Sequence, residues 1–380
     1  MKVSIELQPC LKNKSGIGVY TYELTKRLEN FKDIKFQGNI FNFLNRNDIE
    51  QDIPDLTLNK NICSLFPYSI YRRIWRCMPI KYNVLFRNDA DIYQFFNFIV
   101  PTNISGKVIT TIHDLTYILY PETMDKKNRE RLKKDMINTV NRVDYILTIS
   151  ENSKNDIIKY LNIPEDKITV IYPGVDEMYK QVLDEKHIEK IKRKYNIIGR
   201  YLLYLGTLEP RKNIETIIKS YNDFIKSSDE DIKLVLAGKK GWLYDSIFNL
   251  VSEYGLENNV VFTDYVDDSD KPALYQGAEI FLFPSLYEGF GIPVAEAMAS
   301  RTPVITSNSS SLPEVAGDSA IITEPLDYRK ISESIKKILR DSNIRQKMIE
   351  NGIKQVEKFN WDDSAEKLRK IYIDLYNEQI

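Results

Sequence analysis

Val3, Ile5 and Leu7 alternate with polar neighbours at the start of the chain, the period of a half-buried strand. Tyr20, Leu24, Leu28 and Phe31 then recur at the spacing of one helical face. Between the two patterns, Gly16 and Gly18 predict a glycine turn. Further strands are expected at 36–44, 91–96, 108–112, 145–149 and 168–172. A helix is expected over 126–143, and another after Ser150, which is well placed as an N-cap. Pro173-Gly174 breaks the pattern, and the charged stretch 180–195 reads as a solvated helix. A second series opens at 201–205 and continues with strands at 233–237, 260–262, 279–283, 302–306 and 320–323. Several of these are unbroken apolar runs, as parallel strands covered on both faces should be. Helical stretches at 328–340, 342–357 and 361–377 close the chain.

Alternating strands and helices in both halves predict an α/β chain with two doubly wound Rossmann-like domains, joined near 174–195. The 380 residues suit two domains better than one. In such sheets ligands bind outside the carboxyl ends of the strands, so the crevice between the domains is the expected site.

Composition narrows the function. With 43% hydrophobic and 28% charged residues the chain is that of an ordinary globular protein. A formal net charge of -1 gives no global attraction to nucleic acid. Glu6 interrupts any apolar core of a signal peptide, and no apolar run approaches the roughly 18 residues of a membrane span. Cys10, Cys63 and Cys77 lack CxxC spacing and read as reduced thiols of a cytoplasmic protein. His113 and His187 are the only histidines, which excludes a His-rich metal site.

The chemistry concentrates in the second half. Phe281-Leu-Phe-Pro-Ser285 reads as a buried strand running into a loop with Glu288, Gly289, Phe290 and Gly291. A helix should start near Ile292, because Pro293 suits a first turn. Glycines before a helix N-terminus let a ligand approach the backbone, and the dipole there favours anions or hydroxyl oxygens. Glu296 sits about one turn into that helix, rotated away from Val294, where it can accept hydrogen bonds from a ribose diol. Glu288 can accept from sugar hydroxyls. Two glutamates at this spacing are individually unremarkable surface residues; the Gly-Phe-Gly-Ile-Pro between them, after an apolar strand, carries the signal. A second cluster, Gly206-Thr-Leu-Glu-Pro-Arg211-Lys212-Asn213, lies between strand 201–205 and a helix over 213–226. Cations at a helix start oppose the dipole, so a diphosphate explains Arg211 and Lys212 better than helix stability does. The competing reading is a charged surface loop.

Together these residues resemble the retaining glycosyltransferases of family 4, which have the two-domain GT-B fold. The resemblance covers nearly the whole chain. Gly16-Ile-Gly18 matches the first-domain glycine loop, Glu288…Glu296 the Glu-x7-Glu motif, and Arg211-Lys212 the diphosphate pair. Thr111-Ile-His113-Asp114-Leu with Tyr120-Pro-Glu122 looks like the bacterial polysaccharide mannosyltransferase branch, and Phe359-Asn-Trp361 resembles the start of a helix crossing back to the first domain. The resemblance implies an acceptor domain over 1–178, a nucleotide-sugar domain over 179–358 and a returning helix over 359–380. It implies that Glu296 binds the ribose, and that Glu288 with the backbone of Gly289, Phe290, Gly291 and Ile292 holds the sugar. Gly18 then brings its N–H to the diphosphate, His113 contacts the donor sugar, and Asp264, Tyr265 and Val266 neighbour the base. The donor is a nucleotide-diphosphate sugar, GDP-mannose first. No cofactor or metal is implied, and Asp267-Asp268-Ser269-Asp270 is read as a loop and helix cap. An epimerase or phosphorylase of the same fold is the alternative. A dinucleotide site is disfavoured because the third glycine of GxGxxG would fall at Thr21.

The acceptor half carries Lys60, Arg72, Arg73, Arg76, Lys81 and Arg87, interleaved with Phe66, Tyr68, Tyr71, Trp75, Tyr82 and Phe86. A second basic run is Lys126, Lys127, Arg129, Arg131, Lys133 and Lys134. Such mixtures suit an anionic membrane surface or a lipid-diphosphate acceptor, and equally a solvated helix face with core aromatics; the resemblance implies a glycan or lipid-linked oligosaccharide acceptor. Nucleic acid is not an expected partner. The expected location is cytoplasmic, with room for a peripheral position on the inner face of the membrane.

Overall fold

The computed structural model describes residues 1–11, 15–45, 48–75, 81–101, 103–242 and 244–378. Arg76 and Cys77 lie outside the described residues. The chain forms two compact units: Met1–Leu119 with Lys126–Gly174 and Asn360–Ile380, and Tyr120–Asp125 with Val175–Phe359. The divisions fall after Gly174 and before Asn360, where 178/179 and 358/359 were expected.

Among the described residues the first unit is built on seven strands: β1 Lys2–Glu6, β2 Lys35–Phe41, β3 Asn59–Cys63, β4 Ile92–Phe95, β5 Lys107–Thr111, β6 Tyr145–Thr148 and β7 Ile168–Val170. All pair in parallel in the order β3-β2-β1-β4-β5-β6-β7. Val3 pairs with Phe36 on one side and Ile92 on the other, so the strand order reverses between β1 and β4. The expected glycine turn is instead the first turn of the helix Gly16–Leu28, with Ser15 at its N-cap position. Neither glycine has a positive φ here, so both fit the helix. The helix Trp361–Tyr376 packs into this unit: the Ser364 hydroxyl donates to the Tyr172 carbonyl at 2.7 Å, and Tyr372 Oη to Gln94 Oε1 at 3.2 Å.

The aromatic residues of the basic stretch are mostly core. Tyr71, Trp75, Tyr82 and Phe86 are buried together with Phe41, Tyr93 and Phe95, and Phe66 and Tyr68 pack against them. They are therefore not a free aromatic surface. Among the described residues of this stretch, Ile62, Leu65, Ile70, Ile74 and Val84 are the large apolar side chains left exposed.

The second unit holds six parallel strands: β8 Arg200–Leu205, β9 Ile232–Ala237, β10 Val260–Phe262, β11 Ile280–Phe283, β12 Val304–Ser307 and β13 Ala320–Thr323. Their order is β10-β9-β8-β11-β12-β13, and Leu203 pairs with both Val235 and Phe281. The order reverses between β8 and β11. Both strands are buried over nearly their whole length, which is why they read as apolar runs. The charged stretch 180–195 contains the helix Glu185–Lys194, capped by the Asp184 side chain on the His187 N–H. Among the described residues no helix is long and apolar enough to cross a membrane.

Candidate active site

The reversal between β8 and β11 brings the two sequence clusters of the second unit together. Each begins at the carboxyl end of one of two adjacent strands, so residues 76 or 77 apart become neighbours. After β8, Pro210–Lys212 forms a single 3-10 turn. Asn213 then takes a left-handed φ of 58° before the helix Ile214–Lys226. Its side-chain amide donates to the carbonyls of Pro284 at 2.9 Å and Pro325 at 2.6 Å, tying the loop after β8 to the loop after β11. The Leu286 N–H bonds the Arg211 carbonyl at 2.9 Å.

The charges meet in a quartet of three buried side chains and the half-buried Arg211. Arg211 Nη1 donates to Glu288 Oε2 at 2.8 Å and to the Tyr287 carbonyl at 2.7 Å, while Nη2 donates to Glu209 Oε1 at 2.7 Å. Lys212 Nζ donates to Glu288 Oε1 at 2.6 Å and lies 4.9 Å from the Phe283 ring centroid. Glu209, Lys212 and Glu288 are buried at 4%, 9% and 7% exposure. The group is formally neutral. Burial would raise the Glu288 pKa, but the Arg211 and Lys212 cations overcome it and hold the carboxyl at about 2. Burial and Arg211 lower the pKa of Lys212, against the pull of Glu288 and Glu209. Arg211 and Lys212 are thus not bare cations, and both Glu288 oxygens already accept a hydrogen bond. Each oxygen keeps further acceptor capacity for a hydroxyl.

The 286–291 loop is held from below. Ser310 Oγ accepts the Glu288 N–H at 2.8 Å, and Ser311 Oγ donates toward the carbonyls of Glu288 at 3.0 Å and Phe290 at 2.7 Å. Phe290 packs edge-on against Phe359 at 5.0 Å. Gly291 ends the loop at φ 106°, a conformation that a side chain would strain, and the helix Ile292–Ala299 begins at the expected residue with Pro293 in its first turn. Glu296 is half-buried rather than simply turned to solvent. Its Oε2 accepts the Tyr275 hydroxyl at 2.9 Å, and Tyr179 bonds it too. Burial raises its pKa, opposed by Lys271 and the two hydroxyls.

A second strip runs along the ends of β8, β9 and β10. The Gly206 N–H bonds the Ala237 carbonyl and the Gly238 N–H the Asp264 carbonyl, both at 2.9 Å. A Cβ on Gly238 would fall 2.0 Å from the Gly206 carbonyl oxygen, so only glycine permits this approach. Asp264 has φ 54°, Val266 is buried, and Tyr265 is 49% exposed with Lys239 Nζ 4.4 Å from its ring centroid. Asp268–Asp270 forms a 3-10 turn before the helix Lys271–Gln276, and Asp270 accepts the Tyr195 hydroxyl at 2.8 Å.

In the first unit, His113 follows β5 and is buried at 6% exposure. Its Nε2 donates to the Phe96 carbonyl at 2.7 Å, which assigns the proton to that nitrogen. Tyr20 and Phe98 flank the ring at 5.3 and 5.5 Å. Burial lowers its pKa, only partly offset by Phe96 and Asp114, and so favours the neutral imidazole. Gly18 is buried on the helix that also carries Tyr20, while Gly16 is exposed.

Sequence reasoning missed Glu209, Tyr179, Tyr275, Gly238 and the Ser310-Ser311 pair. Gly238 alone had a local signal, a glycine directly after an apolar strand. Glu209 pairs with Arg211 two residues on, and the remaining residues act through neighbours distant in sequence.

The model for glycosyl transferases group 1 matches residues 187–355, and that for glycosyltransferase family 4 matches 14–178. O-antigen chain mannosyltransferase B of Escherichia coli is 31% identical, covering 98% of this chain and 99% of that protein. Serotype-specific mannosyltransferase WbdA of Escherichia coli is 32% identical over 69% of this chain but only 33% of its own length. Among solved structures, a sucrose-phosphate synthase from Thermosynechococcus elongatus superposes with TM-score 0.77 at 18% identity, covering 100% of both chains. Anabaena HepE in complex with UDP and glucose superposes with TM-score 0.76 at 16% identity, covering 98% of this chain and 99% of that one. These two likenesses concern the fold.

Proposed function

The chain belongs to the glycosyl transferases group 1 and glycosyltransferase family 4, and from that premise we propose that it transfers mannose from GDP-mannose to a glycan or lipid-linked acceptor in cell-surface polysaccharide synthesis. The enzyme is a glycosyltransferase. The observation that carries the donor assignment is the charged quartet Glu209–Arg211–Glu288–Lys212 at the β8–β11 reversal, followed at once by the helix bearing Glu296. The similarity to O-antigen mannosyltransferases supports the sugar.

In this reading the quartet is preorganised for a leaving diphosphate. Glu288 holds Arg211 and Lys212 side by side, so they need no reorientation as negative charge grows on the departing nucleotide. The Ile292–Ala299 dipole adds to that field. The Glu296 carboxylate, oriented by Tyr275 and Tyr179, accepts from the ribose hydroxyls. The strip Gly206, Gly238 and Asp264 offers close backbone approach beside Tyr265 for the base. Neutral His113, with its proton fixed on Nε2, presents Nδ1 as an acceptor for a donor-sugar hydroxyl. The transition state is oxocarbenium-like, with front-face attack, retention, and the donor phosphate taking the acceptor's proton. No metal is required.

Calorimetry across nucleotide sugars tests the donor. GDP-mannose should bind, and Glu296→Gln should weaken it about tenfold or more, since a neutral amide replaces a charged acceptor. Strong binding of another nucleotide sugar with none of GDP-mannose rejects the donor, and an inverted product anomer by NMR rejects retention. Turnover that EDTA abolishes rejects the metal-free step.

Exposed Leu65, Ile70, Ile74 and Val84 alternate with exposed Arg73, Lys81 and Arg87. This favours peripheral contact of the first unit with an anionic membrane through aliphatic rather than aromatic side chains. Failure to co-sediment with anionic vesicles at low salt removes that reading.

A further inference from the structure

One segment leaves the first unit early and joins the second. Tyr120–Asp125 lies between the helices Thr116–Leu119 and Lys126–Arg142, yet packs with Val175–Phe359. Its contacts with the second unit include two anchors. The Tyr120 ring stacks on Tyr287 at 5.4 Å with 29° between planes. The Trp242 indole N–H donates to the Thr123 carbonyl at 2.7 Å. Between the anchors the segment is shaped by its own turn: the Thr123 hydroxyl and N–H both bond the Tyr120 carbonyl, at 2.7 and 3.0 Å. Thr123 is buried at 3% exposure.

Both anchors fall on loops that carry the proposed chemistry. Tyr287 precedes Glu288, and its carbonyl receives Arg211. Trp242 sits in the loop after β9, whose Gly241 N–H bonds the Leu208 carbonyl at 3.0 Å, just upstream of the Arg211 turn. The segment thus clamps the loops after β9 and β11. It is also continuous, through Thr116–Leu119, with the chain leaving His113.

We propose that Tyr120–Asp125 is a positioning strap: Tyr120, through Tyr287, fixes the carbonyl that orients Arg211 and so sets the Glu288 loop for transfer. This rests on the donor-site reading above. Tyr120 touches none of the reacting groups in this scheme and acts through Tyr287.

Full-length Tyr120→Ala, Tyr120→Phe and Trp242→Phe test this with two readouts. The first is amide hydrogen exchange across 286–291, which needs no substrate. A ring–ring contact of this kind corresponds to about a two- to twelvefold change in an equilibrium constant. Exchange should rise by about that factor in Tyr120→Ala, stay at the wild-type rate in Tyr120→Phe, and rise in Trp242→Phe. The second is transfer: kcat should fall by a similar factor in Tyr120→Ala with donor KM within about twofold, and Tyr120→Phe should restore it. Unchanged exchange in Tyr120→Ala overturns the strap, as does altered exchange with unaltered kcat, or a Phe variant as damaged as the Ala variant. Should Tyr120→Ala not fold, Trp242→Phe carries the same comparison, and unchanged exchange there counts against the strap. Wild-type protein that transfers from no nucleotide sugar instead rejects the donor reading, and the exchange readout still decides whether the strap braces the loop.

Discussion

Glu288→Gln keeps the shape of the side chain and removes one negative charge from between two cations. The carboxyl is buried and receives Lys212 at 2.6 Å and Arg211 at 2.8 Å, which hold its pKa at about 2 against an ordinary 4.5. At about 1.36 kcal/mol per tenfold change in proton affinity, that difference is worth about 3 kcal/mol at neutral pH. The folded value lies below the unfolded one. The contribution is therefore complete above about pH 4.5 and is lost as pH falls through about 2. The Gln variant also leaves buried Lys212 with less compensating charge, in the range where breaking a buried pair costs about 3–5 kcal/mol. The variant should thus be less stable than wild type by about 3 kcal/mol at pH 7. That gap should barely change down to pH 5 and should shrink by more than about 1 kcal/mol at pH 3.5. Urea-dependent amide exchange in β8 and β11 reads the second unit without interference from the first. A gap under about 1 kcal/mol at pH 7, or one that collapses between pH 8 and pH 6, would falsify the assignment of a strongly ionised Glu288 to this quartet.

Two further expectations concern backbone and burial. Gly238→Ala sets a Cβ 2.0 Å from the Gly206 carbonyl oxygen, backbone against backbone; it should cost about 2 kcal/mol or more, and a melting temperature equal to wild type contradicts it. His113 is held below its ordinary 6.5 by burial, so the stability it supports is complete above about pH 6.5 and declines below. His113→Phe should remove that decline, and equal pH dependence of the melting temperatures at pH 5.5 and 7.5 in both proteins rejects it.

The reversal points explain what could be read from the residues alone. Strands such as Tyr201–Leu205 are covered on both faces, so their apolar runs announce them, and Pro293 marks the start of its helix. Asn59–Cys63 was not foreseen because β3 is an edge strand whose residues are largely half-exposed and polar. Gly16 and Gly18 suggested a turn because glycine permits one, but the Tyr20, Leu24 and Leu28 face continues back through them into a helix. The local sequence of Arg211 and Lys212 points to a phosphate. Glu209 stands two residues before Arg211 on the same loop, but Glu288 becomes a neighbour only once β8 and β11 are known to be adjacent. The aromatics from Phe66 to Phe86 carry no periodicity that separates a membrane face from a core, and only their contacts decide it.

The helix Trp361–Tyr376 has a consequence for synthesis. Arg369 pairs with Asp33, 336 residues away, and the Trp361 ring lies 5.8 Å from Tyr20. Gly174 leaves no room for a Cβ beside that indole, so the helix fills a fitted seat rather than resting on a finished surface. On the ribosome the first unit is therefore still missing one of its layers when the last residues of the second unit emerge. Domains usually mature in the order of translation; here the half that is made first is the half that closes last, and the exposed seat is what a chaperone would meet in the interval.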